Sequence, residues 1–315
     1  MTSQPSSSSL PKVAILMATY NGEKYLAAQL DSLAAQTHTN WCLFVSDDGS
    51  IDGTKAILQS YQQKWGADRI QIRTGPMRGV AQNFLTMAID TSVQADYYAF
   101  CDQDDVWLPS KLVAALEYLG GVSPEKPHLY CSRTAYVKDD LKIYAHSPSF
   151  VFPTSFRNAL VQSIAGGNSM VFNRATKTLL ERAAVLDVVL HDWWLYQLTT
   201  GAGGVVHLDQ QAHILYRQHP MALIGGGGSV FCKLRRIWMI FHGEFKVYSD
   251  VSIKALNQSR HCLDDGSIRI LDLFIRMRQA PKLWQRFRLL EVCGLYRQTW
   301  RGTISLLIAA TFKKI

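Results

Sequence analysis

Short apolar runs alternate with amphipathic stretches through the first third of the chain, and the spacing predicts the elements. Residues 13–18 form a compact apolar run ending in Thr19-Tyr20-Asn21-Gly22, a strand and its turn. From residue 23 to about 36, Leu26, Leu30 and Leu33 recur at helical spacing. Residues 41–46 read as a second strand, closed by Asp47-Asp48-Gly49-Ser50. A helix over 52–64, a short strand over 70–73 and a helix over 80–89 follow. The aromatic run at 97–101 then predicts a buried strand. It ends in Asp102-Gln103-Asp104-Asp105, ahead of Val106-Trp107-Leu108-Pro109.

This alternation predicts an α/β fold, with helices on both faces of a mostly parallel central sheet. In such a sheet the turns after successive strands open on one edge, where ligands bind. Asn21, Asp47, Asp48, Asp102 and Asp104 are therefore expected to converge on one crevice. The middle is less regular: a strand over 128–137, Gly166-Gly167-Asn168 leading into apolar 169–172, and a helix over 174–185. His191-Asp192-Trp193-Trp194 opens another helical stretch, and strands over 205–208 and 213–217 precede Gln218-His219-Pro220. Four glycines at 225–228 mark the expected boundary between a domain over 12–224 and a helical region over 225–315.

Composition narrows the class. With 48% hydrophobic and 18% charged residues, the chain is core-forming and not disordered. Residues 1–11 are expected to be a disordered polar tail, and the Ser-rich start is not a signal peptide. The six Cys form no CxxC pair and no metal-ligand spacing, so reduced, buried thiols in a cytoplasmic protein are expected. No apolar stretch is long enough for a membrane span.

The net charge of +8 is unevenly placed. Residues 228–315 carry 16 Lys and Arg against 6 Asp and Glu, so the whole positive excess lies in the last quarter. Basic and apolar residues interleave there. The sequence leaves two readings open: peripheral contact with an anionic membrane at the inner face of the cell membrane, or packing on the first domain.

The acidic cluster carries the chemistry. Three carboxylates at a strand end repel one another unless a cation or hydrogen-bond donors offset the charge. Oxygen ligands of this kind suit Mg²⁺ or Mn²⁺, particularly a metal that also holds a substrate diphosphate. No GxGxxG follows the first strand and no GxxxxGK[ST] occurs, which weighs against dinucleotide and P-loop sites. Asp47 or Asp48 could accept from the N3–H of uracil or thymine, although Asp-Asp-Gly-Ser is also good turn chemistry.

Taken in order, Thr19-Tyr20-Asn21-Gly22, Asp47-Asp48-Gly49-Ser50 and Asp102-Gln103-Asp104-Asp105 with Trp107 resemble the inverting nucleotide-sugar glycosyltransferases of family 2, of GT-A fold. The Asp-Gln-Asp-Asp pattern with its following Trp is similar to the bacterial rhamnosyltransferase branch. The resemblance covers about residues 12–224. It implies that Thr19, Tyr20, Asn21, Glu23, Asp47, Asp48, Asp102 and Gln103 line the nucleotide-sugar site. Asp104 would be the direct metal ligand, with Asp102 and His219 the further metal candidates and Asp105 holding the turn. Asp192 would be the general base, His191 standing where relatives often carry Glu. Gly166, Gly167 and Asn168 would form a small-residue acceptor loop, and Trp193 and Trp194 the walls of the acceptor site.

The reading is then a metal-dependent transfer of L-rhamnose from dTDP-L-rhamnose to a glycan hydroxyl, in O-antigen, lipopolysaccharide or capsule assembly. A lipid-linked acceptor would suit a cytoplasmic enzyme with a membrane-facing tail. A UDP-hexose or UDP-N-acetylhexosamine donor is the alternative within the class. A nucleotidyltransferase would also hold metal on paired carboxylates, but Thr19-Tyr20-Asn21-Gly22 is not its Gly-rich basic loop. The basic C-terminal region contains no recognisable nucleic-acid module, so no nucleic-acid partner is expected.

Overall fold

The central strand is β1, Val13–Thr19, and all seven of its residues are buried. Val13, Ile15 and Met17 face one apolar cluster, whereas Ala14, Leu16 and Ala18 face the other. A strand covered on both sides has no polar face, which is why its sequence is continuously apolar. The computed structural model describes residues 10–185, 187–218 and 244–315.

Helix α1, Glu23–Ala34, returns the chain to β2, Trp41–Asp47, and α2, Thr54–Trp65, to β3, Ile70–Thr74. Helix α3, Val80–Ile89, leads to β4, Tyr97–Asp102. Leu26, Leu30 and Leu33 of α1 are fully buried, as their spacing predicts. Each stabilises the fold by about 1.5–3 kcal/mol. Strands β3, β2, β1 and β4 are parallel neighbours in that order. Their register sets Thr19 beside Asp47, and Ala18 beside Asp102, on the carboxyl edge.

Beyond β4 the sheet departs from the expected parallel pattern. A short β5, Val106–Trp107, precedes α4, Lys111–Gly120; then come β6, His128–Val137, β7, Ile143–His146, and α5, Phe156–Ala159. Strand β8, Val171–Asn173, pairs antiparallel with both β4 and β6. It is followed by α6, Arg174–Ala183, and α7, His191–Gly201. The two strands expected near the end of this region are one, β9, Val205–Arg217, parallel to β6 with register shifts near Arg133. Those shifts take up the irregular stretch that reads as a break in the sequence. Among the described residues the sheet has nine strands, and β5 pairs with β9 at its far end. Because β5 leaves β4 directly, the sheet curls to bring β9 beside the acidic turn.

Four C-terminal helices are described: α8, Glu244–Gln258, α9, Asp265–Gln279, α10, Leu283–Cys293, and α11, Trp300–Thr311. They are not a detached unit. Leu256, Leu271, Phe274, Met277, Leu290 and Leu306 belong to the same buried cluster as Trp194, Leu198 and Phe172. The glycines expected to mark a boundary lie outside the described residues, as does His219. Cys42, Cys101, Cys131, Cys262 and Cys293 are buried free thiols, as expected.

Candidate active site

The three acidic or amide-bearing turns meet at the carboxyl edge of β1, β2 and β4. Tyr20 N–H donates to Gln103 Oε1 at 2.9 Å, and Gln103 Nε2 donates back to Tyr20 O at 2.9 Å. The first and third motifs are thus clasped through one amide. That clasp also explains Gly22, where a Cβ would run into the Gln103 side chain. Asn21 sits at φ 47°, a left-handed conformation that Asn tolerates, and its Oδ1 accepts from Ile51 N–H at 3.0 Å. Glu23 Oε2 accepts from Gly53 N–H at 2.9 Å, so its carboxylate ties the start of α1 to the loop after β2.

The Asp47-Asp48 pair divides its work. Asp47 is buried and turned inward, accepting from Thr19 Oγ1 at 2.9 Å and from Ser50 N–H at 2.9 Å. Thr19 is also buried, so its hydroxyl serves this contact. Half-buried Asp48 accepts from Met77 N–H at 2.6 Å and Gly79 N–H at 2.9 Å, fixing the loop before α3. Tyr20 stands at the lip, 58% exposed.

Asp102, Asp104 and Asp105 bring one carboxylate oxygen each within 4.8 Å of the others. Asp105 is fully buried, accepting from Asn168 Nδ2 at 2.5 Å and from Arg217 N–H at 3.2 Å. It closes the turn onto β9. Asp102 and Asp104 are the half-buried members. Burial, then the charges of Asp104 and Asp192, push the Asp102 carboxyl up to about 8. Burial, then its two neighbours, also raises Asp105. An all-oxygen cluster whose acids resist ionising together fits a hard divalent cation, which Asp102 and Asp104 could hold.

Asp192 lies in the first turn of α7, buried, with Oδ2 accepting from Gly167 N–H at 3.0 Å and Oδ1 from Trp193 N–H at 2.6 Å. Burial raises its carboxyl to about 6 despite those donors. The next residue of the same loop, Asn168, grips Asp105, so a 3-10 turn at Gly167–Ser169 couples Asp192 to the acidic cluster. The loop expected to face the acceptor lies mostly inside the protein. Gly167 and Asn168 are buried framework, and Gly167 lacks a side chain because His191 Nε2 occupies that space. Only Gly166 is exposed.

The two tryptophans expected at the acceptor wall are buried as well. Trp193 is 8% exposed and Trp194 is 2%, both in the core, and Trp193 Nε1 donates to Ala159 O at 2.7 Å. His191 is buried too, stacked on Phe84 with centroids 4.1 Å apart and edge-on to Phe100. Burial lowers its pKa to about 3, so the ring is neutral.

Two neighbours of the cluster escape sequence reasoning. Lys111 is fully buried at the start of α4, its Nζ 3.4 Å from the Trp107 ring centroid. Burial lowers its pKa to about 7, while Cys101, Asp105 and Asp102 oppose that shift. Tyr216 is held protonated by burial and by the Asp102, Asp105 and Asp104 charges. A lysine opening a helix reads as exposed even six residues past Asp105, and the curl of the sheet brings Tyr216 to the acids.

Comparison with known proteins identifies the family. The family profile described as glycosyl transferase family 2 matches residues 14–180. The dTDP-rhamnosyl transferase RfbG of Shigella flexneri is 26% identical over 244 residues, covering 71% of this chain and 78% of that protein. WfgD of Escherichia coli, a UDP-Glc:alpha-D-GlcNAc-diphosphoundecaprenol beta-1,3-glucosyltransferase, is 32% identical over 100 residues, covering 32% of this chain and 38% of that protein. Among solved structures, the mannosyltransferase PcManGT of Pyrobaculum calidifontis, in complex with GDP-Man and Mn²⁺, is similar with a TM-score of 0.50 and 18% identity, covering 99% of this chain and 89% of that one. S. aureus TarS in complex with UDP-GlcNAc gives 0.51 and 14%, covering 96% and 88%. These two likenesses concern the fold. With the profile matched over more than half of its 315 residues, the chain belongs to glycosyl transferase family 2.

Proposed function

We propose that this glycosyltransferase moves L-rhamnose from dTDP-L-rhamnose to a glycan hydroxyl, with inversion and with a divalent metal, in bacterial surface polysaccharide assembly such as O-antigen. The observation that carries the reading is the linkage of Asp192 to the acidic cluster through Gly167 and Asn168. A buried carboxylate raised to about 6 is a general base poised near neutral pH, and Asp102 feels its charge. The rhamnose donor is favoured by the likeness to a dTDP-rhamnosyl transferase over most of both chains.

The nucleotide enters over Tyr20 and Asn21, with Tyr20 a stacking face for the base and Asp48 its polar reader. Asp47 is buried within its own turn, whereas Asp48 is half-buried and reaches the crevice beside its bonds to Met77 and Gly79. Asp102 and Asp104 would hold Mg²⁺ or Mn²⁺, and the bound metal would supply positive charge to the leaving diphosphate. Asp192 takes the proton of the acceptor hydroxyl as its oxygen bonds to the anomeric carbon. The C–O bond to the nucleoside diphosphate breaks on the opposite face, inverting the centre. The buried Trp193 and Trp194 keep water from behind Asp192. The acceptor is a lipid-linked glycan reached from the cytoplasmic face of the membrane.

The test is a calorimetric titration with Mn²⁺ and dTDP, UDP, GDP or CDP, followed by transfer assays with the matching sugars. Metal-dependent dTDP binding and rhamnosyl transfer are expected. A folded protein that binds none of the four would overturn the reading. A UDP-hexose donor is the second reading, favoured by the WfgD likeness. UDP binding without dTDP binding would select it.

A further inference from the structure

Helix α11 is anchored on one side only. Leu306, Ala309 and Ala310 are buried, and Thr299 caps its start by accepting from Gly302 N–H at 3.0 Å. Buried Arg286 donates to Ala310 O at 3.2 Å and Thr311 O at 3.0 Å, pinning its end. On the opposite stripe Trp300, Ile304, Leu307, Ile308 and Phe312 are 66%, 45%, 39%, 43% and 61% exposed. Steps of four, three, one and four residues place them on one helical face. Scattered surface apolar residues need no explanation, but a continuous stripe ending in Trp and Phe does. The preceding α10 adds Leu283, Trp284 and Phe287, also exposed.

Charge selects the occupant. Residues 282–315 carry seven Lys and Arg and a single acid, Glu291. Arg301 lies on α11 itself, and Lys313 and Lys314 follow Phe312 directly. No acidic residue occurs on α11, so its apolar face is rimmed by cations alone. The face is a convex helix surface, suited to insertion between headgroups rather than to gripping a defined side chain. At 12 residues α11 is about 18 Å long, short of the ~30 Å hydrocarbon core. Among the described residues no helix is long and apolar enough to cross a membrane.

We infer that α11 lies in the plane of an anionic lipid surface, with Trp300, Ile304, Leu307, Ile308 and Phe312 among the acyl chains and Arg301, Lys313 and Lys314 on the phosphates. The inference deepens the proposed action on a lipid-linked acceptor, but its test requires no catalysis. The full chain is floated with phosphatidylcholine vesicles with and without phosphatidylglycerol. Binding is expected only with phosphatidylglycerol, weakening as salt rises. Combined Trp300→Gln, Ile304→Gln and Ile308→Gln should lower vesicle binding at least about tenfold. Each of Lys313→Gln and Lys314→Gln should lower it about fivefold. Thermal melting and nucleotide binding of these variants should match the parent, because the altered residues face solvent. No binding to phosphatidylglycerol vesicles, or equal binding by the folded triple variant, overturns the inference. So does self-association that the triple variant abolishes without any vesicle binding, which assigns the face to a second copy. Absence of nucleotide binding beside intact vesicle binding would instead count against the proposed reaction.

Discussion

The Asp192 carboxylate accepts the backbone N–H of Gly167 at 3.0 Å, which ties it to the loop that also grips Asp105. Trp193 N–H holds the other oxygen at 2.6 Å. The carboxylate is fixed from the backbone and not from a neighbouring base. Asp192→Asn keeps an oxygen for the fold but cannot take a proton. Transfer should fall about 10²- to 10⁴-fold while nucleotide binding by calorimetry stays within a few-fold of the parent. Loss of nucleotide binding in this variant would mean that Asp192 serves the donor site.

The same burial sets a pH limb. Asp192 in the metal-free protein is raised to about 6 from 3.8, so it gains its charge only above that value. As pH rises from 5 to 7, kcat/KM should climb with an apparent pKa near 6. A rate independent of pH across this range would remove Asp192 as the base. Folding stability runs the other way for this group: between 3.8 and 6 the native state holds the extra proton, and stability from Asp192 falls as pH rises.

His191 carries the opposite sign. Its folded pKa of about 3 lies below 6.5, so the unfolded chain takes up a proton first on acidification. Stability from His191 is therefore full above 6.5 and is lost progressively as pH falls toward 3. Urea unfolding of His191→Leu at a series of pH values should show a shallower acid slope than the parent, whatever its offset. An unchanged slope would mean that the ring is protonated in place.

Asp104 and Asp105 should separate cleanly, although they are adjacent. Asp105→Ala strands the Asn168 amide and the Arg217 N–H, two buried donors, and should cost about 1–3 kcal/mol of stability. Asp104→Ala removes a half-buried carboxylate of the cluster, so Mn²⁺-dependent nucleotide binding should be lost. Denaturant titration and calorimetry on both variants decide it. Equal destabilisation would make Asp104 a framework residue as well.

Gly167→Ala tests the loop. The added methyl meets the His191 ring, itself packed on Phe84 and Phe100, so neither can move freely. A loss of about 1–3 kcal/mol in urea unfolding is expected, with transfer reduced alongside because Asp192 shifts. Parent-like stability would mean that the loop relaxes outward.

Local pattern determined the crevice. The continuous apolar run of β1, the Leu26-Leu30-Leu33 stripe of α1 and three turns after parallel strands carry their own geometry, because neighbours in sequence are neighbours in those elements. Asn21, Asp48, Asp102 and Asp104 could thus be assigned to one edge before any coordinates. Tertiary structure decided what lies across the sheet. The antiparallel entry of β8, the single long β9 and the curl carrying β5 to its far end are long-range pairings that no local period encodes. They bring Tyr216 to the acids, bury Trp193 and Trp194, and make Gly167 a space for a histidine ring. Burial is a property of what packs on a residue, so an aromatic pair reads alike in a binding wall and in a core. The basic tail divided the same way: its charge was plain in the sequence, and only packing chose which apolar face of α11 remained uncovered.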